Sequence, residues 1–265
     1  MQRRRGEGWY WTMAVYIRRG RRLIDLFASM ERGKLLDFPT GWGKEYVHLS
    51  QLGYQVVPAD LFTHFFTISG RTCVQANGNA TFPFKGGSFD YVLSRESIEH
   101  LENQASFVRE CARVLKPGGK LVLTTPNVLH LISRLSYFLT GQRILRRGLV
   151  NEIQTLKLIK NGEFFHGHAF LIDYFRLRYI LRLSGFGRIK VFTDRYSRTS
   201  VALLWTVPIL FVAVILSIWM SVSKDRKIGK LIPDRSVFRE ILGHIFSPAL
   251  LLGKRIVVMA EKLDT

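Results

Sequence analysis

Two short apolar runs, each ending on an acid, do most to limit what this chain can fold into. Lys34-Leu35-Leu36-Asp37 leads into Phe38-Pro39-Thr40-Gly41-Trp42-Gly43, and Tyr54-Gln55-Val56-Val57-Pro58-Ala59 leads into Asp60. Continuous apolar stretches of this length read as strands buried on both faces, as in a parallel sheet covered by helices. Parallel strands place their carboxyl ends on one side, so both acids and the glycine turn converge on one crevice. Gly41 and Gly43 permit positive φ and a close approach of backbone to a ligand.

Two common phosphate sites are excluded. Counting from Gly41, the third glycine of G-x-G-x-x-G is replaced by Tyr46, and G-x-x-x-x-G-K-[ST] occurs nowhere in the chain. The crevice therefore suits an adenosine cofactor without a phosphate chain. Further strands follow in register. Phe89-Asp90-Tyr91-Val92-Leu93-Ser94 and Leu121-Val122-Leu123-Thr124 are apolar runs separated by Phe107, Val108, Cys111, Ala112 and Leu115 at helical spacing. Asn103 is the expected N-cap of that helix, and Pro117 with Gly118-Gly119 ends it. Alternation of strand and helix predicts an α/β, doubly wound, mostly parallel sheet.

The segments Phe82-Pro83-Phe84-Lys85-Gly86-Gly87-Ser88-Phe89-Asp90, Ile98-Glu99-His100-Leu101 and Arg113-Val114-Leu115-Lys116-Pro117-Gly118-Gly119-Lys120-Leu121 follow the first turn in a characteristic order. With them the chain resembles a class I S-adenosylmethionine-dependent methyltransferase of the type 11 family, from about Lys34 to Asn127 and more weakly to Phe186. The resemblance implies a seven-stranded Rossmann-like sheet and S-adenosylmethionine as cofactor. It also implies that Asp37, Pro39, Gly41 and Gly43 cradle the methionine part of the cofactor and that Asp60, with Leu61 beside it, holds the ribose. Asn79 and Ala80 would stand at the adenine, where an acid is usual, and Ser94 at the end of the fourth strand. Pro39 occupies the place of the family's first glycine.

Methyl transfer is an in-line displacement, driven largely by positioning. A base near the methyl group helps where the acceptor is a hydroxyl, and His100, Glu96 and Glu99 follow the fourth strand where one could act. His100 is preferred because imidazole titrates near neutrality. His166 and His168 flank Gly167 and are expected to line the acceptor pocket, His168 foremost. Nothing close by in sequence completes a ligand set, so no metal is expected.

A formal charge of +19 points to an anionic partner, nucleic acid or a phospholipid surface. Val201–Val222 carries no charged residue, and a bilayer-spanning helix needs about 20 such residues. Trp205 and Trp219 sit near its ends as interface anchors would, with Arg195, Arg198, Lys224, Arg226, Lys227 and Lys230 on both flanks. Strands are also predicted at Ile189–Phe192 and Arg255–Ala260. In the family the last two strands are neighbours, so the chain between them must leave the domain and return to the same side. This predicts an interfacial or re-entrant hydrophobic insertion, bent at Pro208, or two crossings, with an apolar helix face of Val237, Phe238, Ile241, Leu242, Ile245, Phe246, Ala249 and Leu250 available to lie beside it.

The expected organisation is a basic helical segment over 1–33, a methyltransferase core over 34–195, the hydrophobic insertion over 196–254 and the last strand over 255–265. Arg3-Arg4-Arg5, Trp9-Tyr10-Trp11 and Arg18-Arg19-Gly20-Arg21-Arg22 suit an anionic headgroup layer. Cys73 and Cys111 are compatible with a reducing compartment. The reading is a membrane-associated O-methyltransferase at the cytoplasmic face of a membrane, acting on a glycan, a lipid-linked sugar or a lipid. The alternatives are an RNA methyltransferase and a degenerate, non-catalytic membrane-bound subunit. Ser94-Arg95-Glu96-Ser97 lacks the [DNS]-P-P-[YF] turn of enzymes acting on base amines, which places nucleic acid second.

Overall fold

The computed structural model describes residues 23–142, 156–158, 164–229 and 234–264, with backbone only at 156–158 and 164–166. The basic and aromatic clusters before Leu23, and Lys230, lie outside the described residues. After α1 (Leu23–Ala28) come β1 (Lys34–Asp37), α2 (Lys44–Gln51), β2 (Gln55–Asp60), β3 (Val74–Gln75), β4 (Phe89–Arg95), α3 (Gln104–Val114), β5 (Leu115–Pro126) and α4 (Leu131–Thr140). A small hairpin, β6 (Leu156–Leu158) and β7 (Phe164–His166), precedes α5 (Tyr174–Leu183) and β8 (Phe186–Phe192). Then follow α6 (Arg198–Ala202), α7 (Val207–Lys227), α8 (Arg235–Ile245), α9 (Pro248–Leu252) and β9 (Arg255–Lys262).

Seven strands form one sheet in the order β3-β2-β1-β4-β5-β9-β8. β9 runs antiparallel to both neighbours, and the pairings among β1 to β5 are parallel. The predicted fold class is therefore observed, including adjacency of the last two strands. The sheet's two faces carry separate apolar clusters. One is built on Leu36, Val92, Phe107, Leu121, Leu177 and Phe186, the other on Phe27, Leu35, Leu49, Tyr54 and Tyr91. The alternation of Leu35 and Leu36 between these clusters is what a strand covered on both faces requires.

Local chemistry sets the helix starts. Asn103 caps α3, its side chain accepting from Ser106 N–H at 3.0 Å, and Asp173 caps α5 by accepting from Phe175 and Arg176 N–H at 2.9 and 3.0 Å. The α3 helix ends at Val114, ahead of Pro117, and Gly118, at φ 72°, lies within β5 where its register against β4 shifts between Phe89↔Leu115 and Tyr91↔Lys120.

The segment between β8 and β9 departs from the expectation in three ways. Pro208 stands in the first turn of α7, where its missing N–H is harmless, so it starts the helix and does not bend it. The α8 helix is tied to α5, with Glu240 accepting from Arg178 at 2.8 Å and Arg182 at 3.0 Å. His244 Nδ1 also lies 2.7 Å from the Tyr174 hydroxyl. Lastly, α9 belongs to the core. Leu250 is wholly buried in the main cluster, and Asn127 Nδ2 donates to the carbonyls of Ala249, Leu250 and Gly253 at 3.2, 3.0 and 2.8 Å. The protruding part is thus shorter than 196–254 and centres on α7, none of whose side chains is buried.

Candidate functional site

The carboxyl ends of β1, β2 and β4 open onto a cleft of about 800 Å³, whose wall includes Thr40, Asp60, Asn79, Glu96 and His100. Its floor is the turn after β1, which contains a cis Phe38-Pro39 bond. Asp60 holds that turn closed. Gly41 N–H donates to Asp60 Oδ2 at 2.8 Å, and Phe62 N–H donates to Oδ1 at 2.9 Å. Gly41 has φ 52° with open space where a side chain would begin, whereas a Cβ on Gly43, at φ 79°, would lie 2.7 Å from Ile68. Both glycines are needed, the first for a bare backbone facing the cleft and the second for packing behind it.

Asp37 lies behind the wall. It is 1% exposed and accepts from the Thr40 hydroxyl at 2.7 Å. Burial raises its pKa to about 7, the Thr40 hydrogen bond opposing that rise and the charge of Asp60 adding to it. Thr40, not Asp37, reaches the cleft.

The sequence-based candidates therefore divide. Pro39, Gly41, Asp60, Leu61, Asn79, Glu96 and His100 stand in the cleft wall. Gly43 is buried beneath it and Ala80 is exposed outside it. Ser94 is fully buried, in a very short contact with the hydroxyl of Ser97, and it is Ser97 that lines the cleft. Reading from sequence missed Thr40, Trp42, Phe62, Phe65 and Arg95, all in the wall. The rings of Trp42 and Phe65 are 5.4 Å apart, and Trp42 is 67% exposed. The aromatic run Phe62–Phe66 was the available signal, since half-buried aromatics beside a strand-end acid form a platform for a planar base.

Glu96 has φ 49°, rare outside glycine, and costs on the order of 1 kcal/mol. Its N–H donates to Thr124 O at 3.0 Å, its carboxylate accepts from the Thr124 hydroxyl at 3.3 Å, and Arg255 lies 3.8 Å away. Glu99 is fully buried outside the cleft wall, accepting from the Thr125 hydroxyl at 3.0 Å. His100 Nδ1 faces the carbonyl of Gly167 at 3.0 Å. Only the backbone of His166 is described, whereas the His168 ring stands 5.1 Å from that of His100. The expectation of no metal rests on the residues close to His166 and His168 in sequence, not on their neighbours in space. Folding brings Glu99, His100 and His168 together, with one ligand atom from each within 4.8 Å of the others.

An adenosine cofactor with a cationic methylsulfonium fits these residues. Each Asp60 oxygen holds one backbone N–H and keeps acceptor capacity for a diol, the wall bears aromatic rings, and the volume lies in the usual ligand range. The adenine end is the weakest match. Asn77 Oδ1 accepts from Asn79 N–H at 2.9 Å and Asn79 Oδ1 from Asn103 N–H at 3.3 Å, so each amide oxygen already holds one backbone N–H and neither carries the charge of an acid.

Residues 36–123 match the family described as "Methyltransferase domain". The ubiquinone biosynthesis O-methyltransferase of Xanthomonas oryzae pv. oryzae is 31% identical over 103 residues, covering 36% of this chain and 43% of that protein. A Mycolicibacterium smegmatis protein described as "Probable S-adenosylmethionine-dependent methyltransferase" is 50% identical over 57 residues, 22% of each chain. The chain thus matches less than half the length of these curated relatives. Among solved structures, a SAM-dependent methyltransferase from Archaeoglobus fulgidus superposes with a TM-score of 0.52 at 16% identity, covering 96% of this chain and 94% of that one, a likeness of fold alone.

Proposed function

The chain carries a class I S-adenosylmethionine-dependent methyltransferase domain, and from that premise we propose that it methylates an oxygen of a lipid, a lipid-linked sugar or a membrane-borne glycan while seated on a membrane surface. S-adenosylmethionine supplies an activated methyl group. Asp60 takes the ribose hydroxyls, the bare backbone at Gly41 and the Thr40 hydroxyl border the amino-acid end, and Trp42 with Phe65 shields the site from water. His100 is the imidazole in the wall. Its Nδ1–H donates to Gly167, so in the neutral ring Nε2 carries the lone pair.

The observation that carries the membrane part of the reading is α7. Leu204–Lys227 is long and apolar enough to cross a bilayer, and none of its apolar window is buried. Ile209, Phe211, Val212, Leu216, Trp219 and Met220 are all exposed, and helices apolar on every side belong in a non-aqueous medium. A single crossing fits poorly. Leu203, Val207 and Leu210 anchor one end to the domain, and Phe246, at the end of α8, lies against Phe211. Because α8 is also bonded to α5, both ends of the excursion return to the same side. This supports a helix lying in the interface, with Lys224, Arg226 and Lys227 among the headgroups.

The deciding experiment feeds radiolabelled S-adenosylmethionine to the full-length chain with bacterial lipid extract in one arm and total RNA in the other. Label entering the lipid fraction alone is expected. Label entering RNA alone would replace this reading with nucleic-acid methylation, and label in neither arm, with no cofactor binding, would leave a non-catalytic subunit.

A further inference from the structure

We propose that Glu99, His100 and His168 form a binding site for a divalent transition-metal ion of the zinc type at the edge of the cleft. Their ligand atoms lie within 4.8 Å of one another, and three ligands at about 2.0–2.2 Å from one ion stand roughly 3–4 Å apart, so a small closure completes the set. Two imidazoles and one carboxylate suit zinc, cobalt, iron or nickel better than magnesium, which favours oxygen. Three protein ligands also leave positions open for a substrate oxygen.

The surroundings are built to hold these groups in place. Glu99 and His100 share the short helical turn Ile98–His100. Gln104 Nε2 ties that turn to the His168 segment, donating to Ile98 O at 2.9 Å and to Phe170 O at 2.5 Å. Phe170 N–H donates to Glu99 O at 3.2 Å. His100 Nδ1–H donates to Gly167 O, a backbone-carbonyl contact of the kind that fixes the tautomer of a ligating imidazole. Thr125 Oγ1–H donates to Glu99 Oε2 at 3.0 Å and orients the carboxylate.

His100 also lines the cleft, so an ion here would face bound substrate and acidify an acceptor hydroxyl that ligates it. That consequence rests on the methyltransferase reading and changes His100 from proton acceptor to ligand. The binding itself does not depend on it.

The test uses untagged, full-length, chelator-treated protein titrated with Co²⁺ and followed by visible absorption and calorimetry. We expect one equivalent to bind, with the visible bands of histidine-ligated cobalt, and Zn²⁺ to displace it. His168→Ala and His100→Gln should each weaken binding at least tenfold, whereas His48→Ala, on an exposed helix position, should leave it unchanged. Should either variant fail to keep the wild-type circular dichroism spectrum, Glu99→Gln tests the same claim. Absence of stoichiometric binding, or binding indifferent to all three ligand substitutions, overturns the proposal. Calorimetry with S-adenosylmethionine on the same metal-free sample separates the two ideas: cobalt binding without cofactor binding retains the metal site and removes the methyltransferase reading, and the reverse does the opposite.

Discussion

Asp37 and Asp60 end neighbouring parallel strands, yet their surroundings give them opposite work. Asp60 accepts two backbone N–H bonds and faces the cleft, whereas Asp37 is sealed behind Thr40 and its pKa is raised to about 7. A carboxyl whose pKa is higher folded than unfolded stabilises the fold most below its unfolded pKa of about 3.9, and that contribution is lost as pH rises towards 7. Asp37→Asn keeps an acceptor for Thr40 without the charge. Thermal melts should show a wild-type stability that declines between about pH 4 and pH 7 through this group, and the variant should lack that part of the decline. Asp60→Ala should weaken S-adenosylmethionine binding by about 10- to 100-fold in calorimetry, the worth of hydrogen bonds to a charged group. Unchanged affinity would remove Asp60 from the cofactor site. The strand-end position of both acids was legible in sequence, because a buried strand announces itself by its own residues. Which acid reaches the cleft was not, since a few ångströms of turn geometry decide it.

At the level of elements, the core strands and helices were readable from periodicity, caps and breakers. Asn103 and Asp173 cap helices as their chemistry predicts. The partners of α8 and α9 could not be read this way, because an apolar helix face states that it must be covered without naming the cover. The Asn127 side chain shows how this is settled, its three bonds holding α9 into the core across the whole insertion. For α7, the free apolar surface is the determinant. Phe211→Lys with Leu216→Lys should abolish flotation with anionic liposomes while leaving the melting midpoint within a few degrees of wild type, since both side chains are exposed. Full flotation of that variant would show that α7 does not mediate attachment.

For the whole molecule, charge and hydrophobic surface act together. A net charge of +19 strengthens attraction to anionic lipid at low salt, and screening shortens its reach to about 8 Å at physiological ionic strength. Apparent affinity for anionic vesicles should therefore fall as salt is raised, levelling at a residual that the α7 substitutions remove, as read by co-sedimentation. An affinity independent of salt would assign attachment to the apolar helix alone. The sequence by itself determined the doubly wound, mostly parallel sheet, the crevice at its strand ends and the presence of one long apolar helix, whereas the number of strands and the cofactor came from the family resemblance. Each of the first three is written in residues close together in the chain, through alternation, helical spacing and glycine turns. The tertiary structure alone decided that Thr40 fronts Asp37, that α9 belongs to the core, and that Glu99 and His100 meet His168. The first depends on the exact path of one short turn, whereas the other two join segments far apart in sequence that only the crossovers of the finished sheet bring together.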